Sequence, residues 1–330
     1  MANRSPVPGP AERTPSSRWW CPSVYWAAAG LSLMVFLVPV FVRWALDGNA
    51  HAHPATGYTI PDHLKILTHI CQAILFLIVV GAGIMCWRTS RRLGAVSISA
   101  ALLIGFCLSG WASPYINTFH YVSASNRYDF NVISWGPYLP GLQGQPPGVE
   151  SFNLAVFGFA AASLWYFVAI AIMRFLHRRR PRWSTLRIIA VTQIPMLLVD
   201  VVGVQLLIRF GGFCFANTFP GITMFADEWY QRPMVSFVTF AFGCVLPLTA
   251  MVFSAEVRNR TVLVLRGCDQ LPGPIQPWVR IFAGIGVVNL FIFVFAMTEA
   301  LASLLGHPSA TVPQWCQLPQ PHAPQHSLAA

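Results

Sequence analysis

Long apolar stretches, each bounded by charged or turn-forming residues, dominate the chain. Seven of them approach or exceed the roughly 20 residues that a helix needs to cross a bilayer: Val24–Leu46, Leu64–Trp87, Leu93–Trp111, Phe152–Leu176, Thr185–Phe210, Met234–Glu256 and Trp278–Leu305. The pattern predicts an all-α, polytopic membrane helix bundle with about seven transmembrane helices. Ala50-His51-Ala52 mimics a signal-peptidase site, but the apolar run before it exceeds the usual roughly 7–15 residues, so the first helix reads as retained. Residues 1–19 are rich in Pro, Ser and Arg, and 306–330 in Pro, Gln and His; both read as disordered tails around a single membrane domain, 20–305. One segment of that domain differs. Between the third and fourth runs, residues 111–150 mix Asn, Tyr, Trp, His, Asp and Glu with Gly and Pro, forming a polar insert.

Composition agrees with the pattern. The 330 residues are 55% hydrophobic and 10% charged, where a soluble domain carries about 25% charged residues. The net charge of +10 comes from 20 Arg and the single Lys65, set in short loops between apolar runs. That placement marks topology rather than a phosphate-binding face, so no nucleic-acid partner is expected. Sixteen of the 21 cations fall on one side of a seven-helix alternation. The positive-inside rule then places the N-terminus in the cytoplasm, the C-terminus outside and the insert at the outer face. The preference for Arg over Lys suggests a GC-rich bacterial source, and with it a multi-pass protein of an actinobacterial-type cell membrane. The sequence says nothing of oligomeric state. The eight cysteines occur singly, without metal or redox spacing; Cys214 and Cys316 fall on the same side and could pair.

Two carboxyl residues, Asp200 and Glu299, lie within apolar runs. A charge at bilayer depth costs roughly 2.5–3.5 kcal/mol on insertion scales, so such residues face an internal cavity or one another's partners. Eight of the eleven acidic residues belong to the outer half, which predicts one polar cavity beneath the outer surface. Plainer roles carry comparable weight. Asp200 and Glu299 could hydrogen-bond between helices, Asp129 could pair with Arg127, and Trp135 and Tyr138 could be interfacial anchors. His120 could be structural, and Glu150 could cap the fourth helix. The chain has no P-loop, no H-E-x-x-H and no desaturase-type histidine pattern, so neither cofactor nor metal is expected.

Asn131-x-Ile133-Ser134-Trp135, then Leu139-Pro140-Gly141 and a downstream Glu150, resembles the central motif of the AveC-like membrane proteins, N-x-G-S-W-x-x-x-I-P-G with a following Glu. Pro114, Asn117 and Tyr128 fit the same pattern. Ser113 stands where that pattern has Asp, Ile133 where it has Gly, and Asp129 where it has Asn. The family takes its name from the spirocyclase of avermectin biosynthesis and includes relatives from milbemycin-type and meilingmycin-type pathways. The resemblance implies a lipophilic macrolide substrate met within membrane lipid. A ketone flanked by two hydroxyls would close to a 6,6-spiroketal through an oxocarbenium ion by cofactor-free acid/base catalysis. In the avermectin branch, dehydration of a neighbouring hydroxyl is a second reaction. On this reading Asp129, Glu150 and His120 are the catalytic candidates, with Asp129 or Glu150 as acid and the other as base. Asn117, Tyr121, Arg127, Tyr128, Asn131, Trp135, Tyr138, Asp200 and Glu299 would line the substrate. Exchanging either Asp129 or Glu150 for its amide is expected to reduce stereoselective closure. The competing readings are a transporter or exporter of a lipophilic secondary metabolite and a scaffold docking partners through Arg-rich loops. The lack of an internal repeat weakens the first of these.

Overall fold

In hydrocarbon a backbone polar group can be satisfied only within its own segment, so each apolar run becomes a helix. A computed structural model describes residues 19–53, 60–144, 148–219 and 221–316. It contains seven helices long and apolar enough to cross a membrane: α1 (Pro22–Leu46), α2 (Asp62–Leu93), α3 (Ile98–Ile116), α4 (Leu154–Arg179), α5 (Thr185–Arg209), α6 (Met234–Val257) and α7 (Gly273–Ser303). Local chemistry sets their ends. Gly94 closes α2 in the left-handed conformation at φ 63°, and the Ser97 hydroxyl accepts from the Ala100 N–H ahead of α3. The third helix therefore begins at Ile98 rather than at the expected Leu93. It loosens after Cys107 into a 3-10 turn, Gly110–Ala112, and resumes as a single helical turn, Ser113–Ile116.

The last helix is the hub. α7 lies against α1 on one side and α3 on the other, and glycines bring the backbones into contact. A Cβ on Gly30 would sit 2.0 Å from the Phe282 carbonyl oxygen, and one on Gly284 would sit 2.3 Å from that of Ala101. Close backbone approach of this kind replaces the hydrophobic drive that helices lack in lipid. The outward faces of α1 and α2 expose Leu31, Val35 and Val38, and Ile66, Leu77 and Ile84, a surface suited to lipid. α4 and α6 each contain a π-helical turn, Leu154–Gly158 and Ala241–Val245. The first of these follows the insert directly.

Four two-stranded antiparallel ladders build a cap over one end of the bundle. In the insert, β2 (Asn131–Ile133) pairs with β3 (Val149–Ser151), with Val132 opposite Glu150. β1 (Ser123–Ser125) pairs with β4 (Phe213–Phe215). β5 (Asn217–Thr218) pairs with β8 (His307–Pro308), and β6 (Thr223–Met224) with β7 (Arg232–Pro233). The end of α1 holds the insert in place: Trp44 Nε1 donates to the Ile133 carbonyl at 2.8 Å, and the Tyr138 hydroxyl donates to Asp47 at 2.7 Å. Residues 306–316, expected to belong to a free tail, are instead part of the cap. A Cys214–Cys316 disulfide fixes them, the Ser309 N–H donates to the Ala216 carbonyl at 2.9 Å, and the Trp315 and Trp229 rings meet edge to face. The remainder of that expected tail, 317–330, and residues 1–18 lie outside the described residues.

Candidate functional site

Strand geometry separates the two carboxylates of the insert. Neighbouring residues on a strand point to opposite faces, so Glu150 and Ser151 lie on opposite sides of β3. Asp129 is on the Ser151 side. Its buried carboxylate accepts from Ser151 Oγ and Gln72 Nε2 in close contacts, from Asn153 Nδ2 at 2.6 Å and from the Phe130 N–H at 2.8 Å. Three of these donors share Oδ1 and Ser151 holds Oδ2, so both oxygens are engaged. Asp129 thus ties the hairpin to α2 and to the entry of α4, and the hairpin stands between it and Glu150.

Glu150 has a different setting. Ser113 Oγ donates to Oε2 at 2.7 Å and Ser134 Oγ to Oε1 at 3.1 Å. Burial disfavours the charged form and pushes this carboxyl up to about 7, against the two serine hydroxyls, which pull it down. The residue as a whole keeps partial exposure, while its carboxyl lies inward on the two serines. Tyr121 is close by: burial, then the Glu150 charge, holds its phenol above the ordinary range. Ser113 reaches this place because the end of α3 lies hard against the start of α4. A Cβ on Gly110 would sit 2.0 Å from the Ala155 carbonyl oxygen, so glycine is what permits the approach.

The other expected site residues mostly hold the roof together. Asn117 accepts from the Val122 and Ser123 N–H groups at 2.8 and 3.2 Å and donates to the Ser123 carbonyl, shaping the loop before β1. Asn131 Nδ2 donates to the carbonyls of Asn126, Arg127 and Asp129. Trp135 is buried against Phe41 and Trp44 and donates to the Trp111 carbonyl at 3.1 Å, a core position rather than an interfacial one. Tyr138 is bound to Asp47 and Asn49 at the end of α1. Tyr128 is exposed, its ring beside His69 and Lys65. Arg127 is half-buried, and its N–H donates to the Trp315 carbonyl at 2.9 Å. His120 is exposed, with Nδ1 3.0 Å from the Ser303 carbonyl oxygen in the last turn of α7.

Asp200 and Glu299 form a separate buried cluster. Arg232 pairs with the Asp200 carboxylate and donates to the Asp200 carbonyl at 3.0 Å, with both side chains almost wholly enclosed. Glu299 accepts from Ser236 at 2.5 Å and from Thr239, and lies within electrostatic reach of Arg232. These contacts join α5, α6 and α7. Among the described residues, no three of His, Cys, Asp or Glu converge as metal ligands.

The insert and the cap fall within the region that matches a known family: the family described as Spirocyclase AveC-like matches residues 90–323, well over half of the chain. The chain belongs to the AveC-like spirocyclase family. The match takes in α3 to α7, the insert and the stapled cap, and leaves out α1 and all but the end of α2. Neither a curated protein nor a solved structure matches the chain significantly.

Within this AveC-like chain, the motif residues fall into buried or turn positions and hydrogen-bonding side chains. Leu139 is fully buried, the Pro140 carbonyl accepts from the Tyr115 hydroxyl at 2.9 Å, and Gly141 turns the chain at φ 78°. Ser134 and Glu150 are the motif positions that meet as functional groups. Ser113, where the motif pattern has an acid, touches that same carboxyl. Sequence reasoning placed Ser134 in the motif and Ser113 beside it but did not join them to Glu150, because 16 and 37 residues separate them from it. It missed Arg232 as the partner of Asp200 because 32 residues separate them. One signal was available: Arg232 is among the few cations outside the Arg-rich side.

Proposed function

We propose that the protein closes a dihydroxy ketone to a spiroketal, with Glu150 as the proton donor. The observation that carries this reading is a buried carboxyl, on a residue that keeps partial exposure, held by two serine hydroxyls and pushed up to about 7. Such a group is about half protonated near neutral pH and can act as an acid. One substrate hydroxyl adds to the ketone carbon, and its proton passes to the carbonyl oxygen, giving a hemiketal. Glu150 protonates the hemiketal hydroxyl, the C–O bond breaks, and water leaves an oxocarbenium ion beside the new carboxylate. The second hydroxyl bonds to that carbon and returns its proton to Glu150. One water is released, and the catalyst ends as it began. A single carboxyl serves as acid and then as base, so Asp129 is not required as partner. Family membership supports the substrate class, a lipophilic macrolide with a ketone between two hydroxyls. Tyr121, within electrostatic reach of Glu150, would stabilise the developing cation through its ring.

The test is product analysis with the full chain in detergent and a synthetic dihydroxy-ketone macrolide. Glu150→Gln is expected to slow stereoselective closure by at least about 100-fold, in line with the loss of a general acid. Asp129→Asn should lower thermal stability but leave closure per folded molecule within a few fold. Unchanged rate and isomer ratio in Glu150→Gln would refute the assignment. Because detergent abolishes any gradient, conversion there also separates catalysis from transport.

A further inference from the structure

The two ends of the bundle treat their cysteines differently. At the capped end, Cys214 and Cys316 are joined and wholly buried. At the other end, Cys21 and Cys268 are neighbours: a Cβ on Gly267 would lie 2.5 Å from that of Cys21, and the Cys21 and Cys268 thiols interact electrostatically. Both nevertheless remain free thiols. Cys21 hydrogen-bonds with Ser23, and the Cys268 thiol donates to the Gln276 carbonyl. Persisting disulfides belong to oxidising compartments and adjacent free thiols to reducing ones.

The charges follow the same division. Arg88, Arg91 and Arg92 end α2, Arg174 and Arg178–Arg180 end α4, and Arg258, Arg260 and Arg266 lie between α6 and α7, all at the end that holds Cys21 and Cys268. The bridge itself holds the roof of the site. It ties residue 316 to β4, and β4 pairs with β1 of the insert. The Trp315 carbonyl accepts from Arg127 two residues before Asp129.

We infer that the capped end faces the oxidising, extracytoplasmic side of the membrane, that Cys214 and Cys316 are oxidised there as a structural staple of the roof, and that the Glu150 site opens to that side. In the oxidation two thiols lose two protons and two electrons to form one S–S bond, and the disulfide of a partner thiol oxidoreductase is reduced to its dithiol by exchange. The side on which ring closure takes place rests on the function proposed above; the staple and the orientation do not. The ketone is then a molecule released by its synthetic machinery as a neutral, lipophilic hydroxy-ketone that reaches the outer leaflet before it closes.

Three measurements on the full chain in membranes test this. Free thiols are blocked with N-ethylmaleimide in denaturing detergent, then the sample is reduced and labelled with maleimide-polyethylene glycol. The wild type should gain two labels and Cys214→Ser none; no label on the wild type removes the staple. In intact cells, a membrane-impermeant maleimide should label Gln143→Cys directly and Arg180→Cys only after permeabilisation; the opposite order overturns the orientation. In right-side-out vesicles with clamped internal pH, closure should slow as external pH rises through about 7 and ignore internal pH, and a rate that follows internal pH overturns the location. Absence of closure alongside two labels and outside labelling would count against the catalytic reading alone.

Discussion

Ser113 donates to the Glu150 carboxyl at 2.7 Å, and a donor of this kind favours the charged form. Burial works the other way, and the balance lies near 7. A carboxyl raised to that value is neutral below it and ionised above it, so the donor form is lost as pH rises through about 7. Closure should therefore be fast at pH 6 and about tenfold slower at pH 8. Ser113→Ala removes one donor and should move the midpoint upward by roughly one pH unit. Ser113→Asp puts a second carboxyl in contact with the first, and the pair should hold a shared proton to higher pH still. A pH profile of stereoselective closure reads both, and a midpoint unmoved in both variants would show that Ser113 does not govern the acid. Much of this was invisible in the sequence. Glu150 could be singled out as a carboxyl near a motif, but its difference from Asp129 comes from the alternation along a three-residue strand, which turns Glu150 away from the Ser151 side where Asp129 is held. No composition signal carries that.

The helices were legible because each is a continuous apolar run, and membrane depth forces such a run into one conformation. Their ends were less so. Leu93 is apolar enough to suggest a start for the third helix, yet Gly94 and the Ser97 cap decide otherwise. The hairpin of β2 and β3 escaped notice because three-residue strands leave no alternation to detect. The π-helical turns escaped as well, since a slipped hydrogen bond has no residue signature. Glycine was ambiguous until the neighbours were known. Gly286 lies where a Cβ would come within 2.4 Å of the Trp26 carbonyl oxygen, whereas nothing lies within 4 Å of one on Gly81. Gly286→Ala should destabilise the bundle by roughly 1–3 kcal/mol through overpacking. Gly81→Ala should be neutral or stabilising by up to about 1 kcal/mol through helix propensity. Thermal unfolding in one detergent compares them, and equal shifts would remove the case for a glycine contact between α1 and α7.

Across the whole molecule, Arg232 on β7 pairs with Asp200 of α5, both side chains almost wholly enclosed. Removing one partner of a buried pair leaves an uncompensated charge, at a cost of about 3–5 kcal/mol, while replacing both with apolar residues is often tolerated. Arg232→Leu should therefore sharply reduce the yield of folded protein, and Asp200→Leu in the same chain should restore much of it. Size-exclusion yield from membranes measures this; failure of the double variant to recover would show that the cluster does more than balance charge. The apolar runs around Asp200 and Glu299 place both at depth, and the clustering of acids in the outer half suggested one cavity shared with Asp129 and Glu150. Their hydrogen-bond partners fall into three sets, around Asp129, around Glu150 and around Asp200 with Glu299. Assembly carries one more consequence. The hub, α7, is the last of the seven spans to leave the ribosome, although it fits between two of the earliest. Until this keystone arrives, α1 and α3 have only lipid where its glycines will lie, so nascent chains must wait half-built, and a premature stop before Gly284 removes the scaffold along with the tail.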